Sequence, residues 1–174
     1  TRRESQGQLQ EANYTIYWVG KSTGPRTAGV AFAIHNTIAS KLETLPIGVS
    51  PRIMTLRIPL EKDRHISLVN VYAPTMTYTD EEKDAFYQEL TEVLHKIPAE
   101  DKLLLLGDFN ARVGTDWETY TSVIGKFGKG MKNSNGELLL NFCSQHDLCI
   151  TNTFFNQPEK NFYTWKHART KRYH

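Results

Sequence analysis

The sequence predicts an α+β protein in which two sheets pack together with helices on the outside. Segments rich in strand formers crowd the first part of the chain, and two capped amphipathic segments follow them. The two kinds do not alternate regularly, which argues against a doubly wound parallel sheet.

Length and composition set the bounds. A chain of 174 residues is long enough for one domain with a real core. With 39% hydrophobic and 23% charged residues it falls among globular chains and outside the disordered class. A net charge of +2 and a pI near 8.5 are too mild to prove a nucleic-acid partner and do not exclude one. Two cysteines, Cys143 and Cys149, cannot build a disulfide framework and lack the neighbours of a zinc site. That usage predicts a reducing, intracellular setting. No apolar run approaches membrane-spanning length and no secretory signal opens the chain, so no membrane partner is expected.

Taken in order, residues 1–13 are polar and unpatterned, which predicts a loop or loose end. Residues 14–19 and 29–34 are rich in β-formers and read as strands, joined through Gly24-Pro25. Residues 53–60 and 65–72 read as a third and fourth, with Glu61-Lys62-Asp63-Arg64 at hairpin length between them. Thr79-Asp80-Glu81-Glu82 is a capping box that opens a helix. Its Phe86, Leu90, Val93, Leu94 and Ile97 form one stripe, and Pro98 ends it. Ser134-Asn135-Gly136-Glu137 reads as a second capping box, opening a helix to about His146 with Leu138, Leu139, Phe142 and Cys143 toward the core. Residues 149–151 read as a short strand, and Tyr163-Thr164-Trp165 as the start of another.

Between the two helices lies Leu103-Leu104-Leu105-Leu106-Gly107-Asp108-Phe109-Asn110. Four consecutive leucines predict a strand buried on both faces. A carboxylate and an amide, Asp108 and Asn110, follow where it ends. An acid at the mouth of a buried strand needs a compensating partner, and a rigid strand end is a good place to hold a catalytic group. Two readings fit these residues: a catalytic strand end, or a turn in which Asp and Asn bond their own backbone.

Three segments together narrow the choice: Gly107-Asp108-Phe109-Asn110-Ala111; Leu68 to Thr75, a strand ending in Tyr72; and Asn135-Gly136-Glu137 followed by Asn152 and Trp165. Their order and spacing resemble the endonuclease/exonuclease/phosphatase superfamily, over nearly the whole chain. Residues 26–34, 107–114 and 151–155 are most similar to the endonuclease domains of RTE/BovB-type non-LTR retrotransposons and to the craniofacial development protein 2-like proteins. The resemblance implies a four-layer α/β/β/α sandwich of the DNase I-like fold. It also implies phosphodiester hydrolysis with Mg2+ or Mn2+, on DNA, leaving a 3′-hydroxyl. Asp108 would orient the attacking water and contribute to the metal; Asn110 and Tyr72 would donate to phosphoryl oxygens. Asn152, Trp165 and Arg169 would meet the substrate. The plainer readings of these three are a turn residue, a core aromatic and a member of a solvated basic run. A DNA substrate implies access to chromatin, hence an intracellular and nuclear setting.

The family pattern is incomplete. In the retrotransposon group the metal-binding glutamate precedes a Thr-Arg pair, and Thr1-Arg2 opens this chain. Relatives continue beyond a position like Tyr173-His174 to a Ser-Asp-His motif that residues 1–174 do not contain. The expectation is one domain over residues 1–174, truncated at both ends, with roughly half a site, poor magnesium binding, and weak cleavage or none. Rival readings are another phosphodiesterase or phosphatase of the superfamily, and an inactive domesticated domain that binds nucleic acid or protein.

Overall fold

A computed structural model describes residues 3–158 and 161. The chain falls into two compact units, Thr1–Asn110 and Ala111–His174.

The first unit holds two sheets, as predicted. One is a three-stranded antiparallel sheet of β1 (Gln6–Glu11), β2 (Tyr14–Gly20) and β3 (Gly29–His35), in that order. The loose end expected over residues 1–13 is wrong for β1, which pairs from Gln6↔Val19 to Glu11↔Tyr14. Its side chains are almost all exposed, so no hydrophobic alternation marks it, and pairing to β2 supplies what local pattern lacks. A short helix, α1 (Asn36–Ala39), follows β3.

The second sheet runs in the order β4 (Ile47–Ser50), β5 (Ile53–Pro59), β6 (His65–Tyr72) and β7 (Lys102–Asp108). The β5–β6 hairpin closes with Lys62 and Asp63 both at positive φ, 62° and 54°, the hand that suits a tight hairpin turn. The β6–β7 pair is parallel, and the crossover between them carries α2 (Asp80–His95). The predicted capping box is present: Glu82 N–H donates to Thr79 Oγ1 at 3.3 Å, and Thr79 N–H to Glu82 Oε2 at 3.0 Å. Burial of β7 on both faces is not observed. Among the described residues β7 pairs only with β6, and Leu104 is 44% exposed.

Alternation sorts the residues between faces. Tyr17 and Val19 of β2, Val30, Phe32 and Ile34 of β3, and Met54 and Leu56 of β5 form the core between the sheets. Asn70 stitches the two sheets, its Nδ2 donating to the Ala31 carbonyl at 2.9 Å. Ile53, Val69 and Val71 point the other way and are at most 1% exposed. The stripe of α2 is buried at Phe86, Leu90 and Val93, and Ser50 Oγ donates to Glu89 Oε2 at 2.9 Å.

At the start of β7, Asp101 is held by a fork from Arg57, Nε–Oδ2 2.7 Å and Nη2–Oδ1 2.9 Å, and by Ser67 Oγ at 2.7 Å. Its side chain is fully shielded from solvent.

In the second unit α3 spans Ser134–Gln145. Its cap is Asn133, one residue before the predicted Ser134: Asn133 Oδ1 accepts the Gly136 N–H at 2.8 Å. Leu139, Leu140, Phe142 and Cys143 are buried, and Leu138 only partly. Burial pushes the Cys143 thiol up to about 12, so it stays protonated and inert. The strand predicted over 149–151 is absent. Ile150 N–H makes one ladder-like bond to Val123 O at 2.7 Å, then Thr153 folds back on Ile150 O, and Thr151–Thr153 close a 3-10 turn. The strand expected at Tyr163-Thr164-Trp165 lies outside the described residues.

The Arg57 and Ser67 bonds hold the Asp101 carboxyl down at about 2, against an ordinary 3.8. A depressed carboxylate stabilises the fold above the unfolded value, and that contribution fades as pH falls toward the folded one. Asp101→Asn is therefore expected to lower the melting temperature at neutral pH. It should also flatten the loss of stability between pH 3.8 and about 2. Thermal melts of both proteins across that range check this.

Candidate active site at the ends of two parallel strands

Because β6 and β7 run parallel, their last residues emerge side by side, with Tyr72 and Asp108 as register partners. Both occupy the alternation that faces the other sheet, and Tyr72 packs against the core between the sheets. Asp108 is exposed to solvent, and Asn110 is partly buried.

The backbone around them is tightly specified. Gly107 has φ 132°, and a Cβ there would overlap the Val71 carbonyl oxygen. Only glycine combines that dihedral with so close an approach of β6. After the strand, Asp108 Oδ1 accepts the Asn110 N–H at 2.9 Å, and Asn110 adopts a left-handed conformation at φ 49°. Asn tolerates that conformation better than most residues. Asn110 Nδ2 then donates to the Ala73 carbonyl at 2.9 Å, while Ala73 N–H donates to Asp108 O at 2.9 Å. The turn reading of Asp108 and Asn110 therefore holds, at the point where β7 ends. Asp108 lies level with Tyr72 across the β6–β7 pair, and the turn ties the Asn110 side chain to Ala73, the residue after Tyr72.

Two residues that sequence reasoning passed over serve this corner. Asn70, two residues before Tyr72, ties β6 to Ala31 of β3. Arg52 accepts the Tyr72 N–H at its carbonyl and donates from Nη1 to the Tyr72 carbonyl, both at 2.9 Å. Its guanidinium carbon lies 5.6 Å from the Tyr72 ring centroid and 4.8 Å from that of Tyr78. A Pro-Arg pair in a short turn carries no periodic signal, so nothing in the sequence marked it.

The other candidates are not gathered by anything described. Asn152 is exposed in the second unit, within the turn Thr151–Thr153. Trp165 and Arg169 lie outside the described residues. The second unit also displays the exposed cations Arg112, Lys126, Lys129 and Lys132. Lys126 Nζ sits 4.7 Å over the Trp117 ring and Lys132 Nζ 5.3 Å over Tyr120.

Among the described residues no group of three or more His, Cys, Asp or Glu side chains is arranged to hold a metal ion. Asp108 offers an exposed carboxylate, which meets the minimum for magnesium. That ion keeps several waters and often binds through one or two carboxylates and the substrate's phosphate.

The endonuclease–reverse transcriptase family matches residues 66–170. The chain belongs to the endonuclease/exonuclease/phosphatase family. The matched span includes β6, β7 and the strand-end residues Tyr72, Asp108 and Asn110. Craniofacial development protein 2 of Bos taurus and that of Tragulus javanicus are each 33% identical over 162 residues, or 91% of this chain. The chain spans about a quarter of the length of those relatives, 26% and 27%. No solved structure matches significantly. The sheets and helices described above fit the α+β, DNase I-like class of this family. No helix among the described residues is long and apolar enough to cross a membrane.

Gly107→Ala tests how tightly the corner is specified. The strained dihedral and the overlap with Val71 should together cost roughly 2–4 kcal/mol of stability. Urea unfolding of the two proteins measures it. A change within error would show that the β6–β7 approach can relax.

Proposed function

We propose that this chain is a phosphodiesterase of the nuclease kind, most specifically a DNA endonuclease domain of retrotransposon type. The observation that carries the reading is the placement of Tyr72 and Asp108 as partners on adjacent parallel strand ends, with Asn110 tied to the same corner through Ala73. Family membership supports it, since the matched span includes all three residues.

The chemistry follows from the groups. Phosphodiester hydrolysis passes through a phosphoryl centre with charge spread over its oxygens, so fixed donors stabilise it. The Tyr72 hydroxyl and the Asn110 amide supply such donors. The Asp108 carboxylate, exposed to water and braced by the Asn110 N–H, accepts a proton or hydrogen bond from the attacking water. Magnesium or manganese, held by Asp108 with water and the substrate's phosphate, would neutralise phosphoryl charge. DNA as the partner is supported by the cations of residues 112–132, because phosphate contacts dominate affinity for nucleic acid. A retrotransposon-type DNA substrate would require access to chromatin, and so an intracellular, nuclear setting.

A magnesium-dependent nicking assay on supercoiled plasmid tests the reading. Asp108→Ala should lower the rate by about 100-fold or more, and Asn110→Ala by roughly tenfold to 100-fold. Undiminished nicking by Asp108→Ala would remove Asp108 from the chemistry. DNA binding without any cleavage by the unsubstituted chain would replace the enzyme with a binding module.

A further inference from the structure

Arg52 and Tyr72 face each other one step beyond the last paired residues of β5 and β6, Ile53↔Val71. In a regular antiparallel ladder every second facing pair exchanges two main-chain bonds, and Arg52 and Tyr72 stand at such a position. Here only one is main-chain: the Arg52 carbonyl accepts the Tyr72 N–H at 2.9 Å. The Arg52 N–H turns away to Ser50 Oγ at 3.3 Å, within a β4–β5 connection whose register is irregular. The guanidinium takes its place, Nη1 donating to the Tyr72 carbonyl at 2.9 Å. The same group lies against the Tyr72 and Tyr78 rings. One side chain therefore touches the backbone of Tyr72, its ring, and the loop that leads from Tyr72 to α2.

Satisfying one carbonyl does not require an arginine, since a main-chain N–H does that elsewhere in the ladder. What arginine adds is a planar cation that can bond a carbonyl at its edge and stack on aromatic faces at the same time. Its footing is also built. Ser50 Oγ, which takes the Arg52 N–H, donates to Glu89 of α2 at 2.9 Å. Arg52 lines a cavity of about 390 Å³ with Glu82, Phe86, Glu89 and Glu92 of that helix.

We propose that Arg52 is a positioning residue for Tyr72, fixing the phenol ring so that its hydroxyl meets a phosphoryl oxygen of the substrate. The inference rests on the nuclease reading of Tyr72. Arg52 acts through the ring and touches no reacting atom. Its loss therefore slows turnover and leaves substrate affinity nearly unchanged.

The experiment compares Arg52→Gln, Arg52→Lys and Tyr72→Phe, singly and with Arg52→Gln combined with Tyr72→Phe. It reads magnesium-dependent nicking kinetics and the ring signals of Tyr72 in tyrosine-labelled NMR spectra, assigned by their absence in Tyr72→Phe. Arg52→Gln is expected to lower kcat about tenfold with KM within about twofold, as expected when an interaction made only in the transition state is lost. In the Tyr72→Phe background the same change should cost less than about twofold, because the two residues act as one unit. The Tyr72 ring signals should shift or broaden in Arg52→Gln. Arg52→Lys, which keeps the charge and loses the planar fork, should fall between, and it decides the matter if Arg52→Gln does not fold. Additive losses, a change confined to KM, or unmoved Tyr72 signals overturn the proposal. Absence of nicking by the unsubstituted chain overturns the nuclease reading instead, and the Tyr72 signals then decide the clamp alone.

Discussion

The candidate site depends on how the backbone leaves the end of β6. Tyr72 and Ala73 carry four main-chain polar groups past the last regular β5 pair. Each finds a partner: Arg52 O and Nη1 for Tyr72, Asp108 O and Asn110 Nδ2 for Ala73. Unpaired, any such group away from water would cost on the order of 1–3 kcal/mol. Half of these partners come from Asp108 and Asn110, which the resemblance marks as functional, and half from Arg52, which it does not. Saturating the strand end and assembling the site are thus one structural event.

That event in turn needs the parallel approach of β7. Gly107 lets β7 come against the Val71 carbonyl, and Asp108 then lies level with Tyr72. At the opposite end of β7, the Arg57–Asp101–Ser67 cluster ties the strand's start to β5 and β6. The two ends fix the strand's axial position, and with a side-chain period of two a slip by one residue would turn Asp108 to the other face. Asn70, bonded to Ala31 of β3, makes the inner face of β6 specific as well, because a partly buried amide needs its partner where a leucine would not.

How much of this was legible follows the physics of each signal. The capping box at Thr79 and Glu82 is local, and it appears as read. At α3 two overlapping cap patterns compete, and Asn133 takes the role assigned to Ser134. β1 was invisible because an exposed edge strand has no apolar alternation. Leu104 shows the converse error: four leucines imply burial, but accessibility depends on what stands beside the strand, which composition does not encode. Asp108 and Asn110 were legible as residues and as a turn, and Tyr72 as a strand end. Arg52 was not, since its importance lies in replacing a main-chain donor across a pair formed only after folding.

The double duty of these side chains governs how substitutions should be interpreted. Removing the Asn110 side chain takes away the donor to Ala73 and also a residue suited to φ 49°. A lost rate in such a variant mixes chemistry with a rebuilt turn. Tyr72 raises the same difficulty, since its ring packs against the core between the sheets. The changes that separate the two duties keep the structural half: Asp108→Asn retains an oxygen for the Asn110 N–H while losing the charge, and Tyr72→Phe retains the ring while losing the hydroxyl. If such pairs keep their melting behaviour and still lose rate, the strand ends are a reactive centre as well as a saturated corner of the fold.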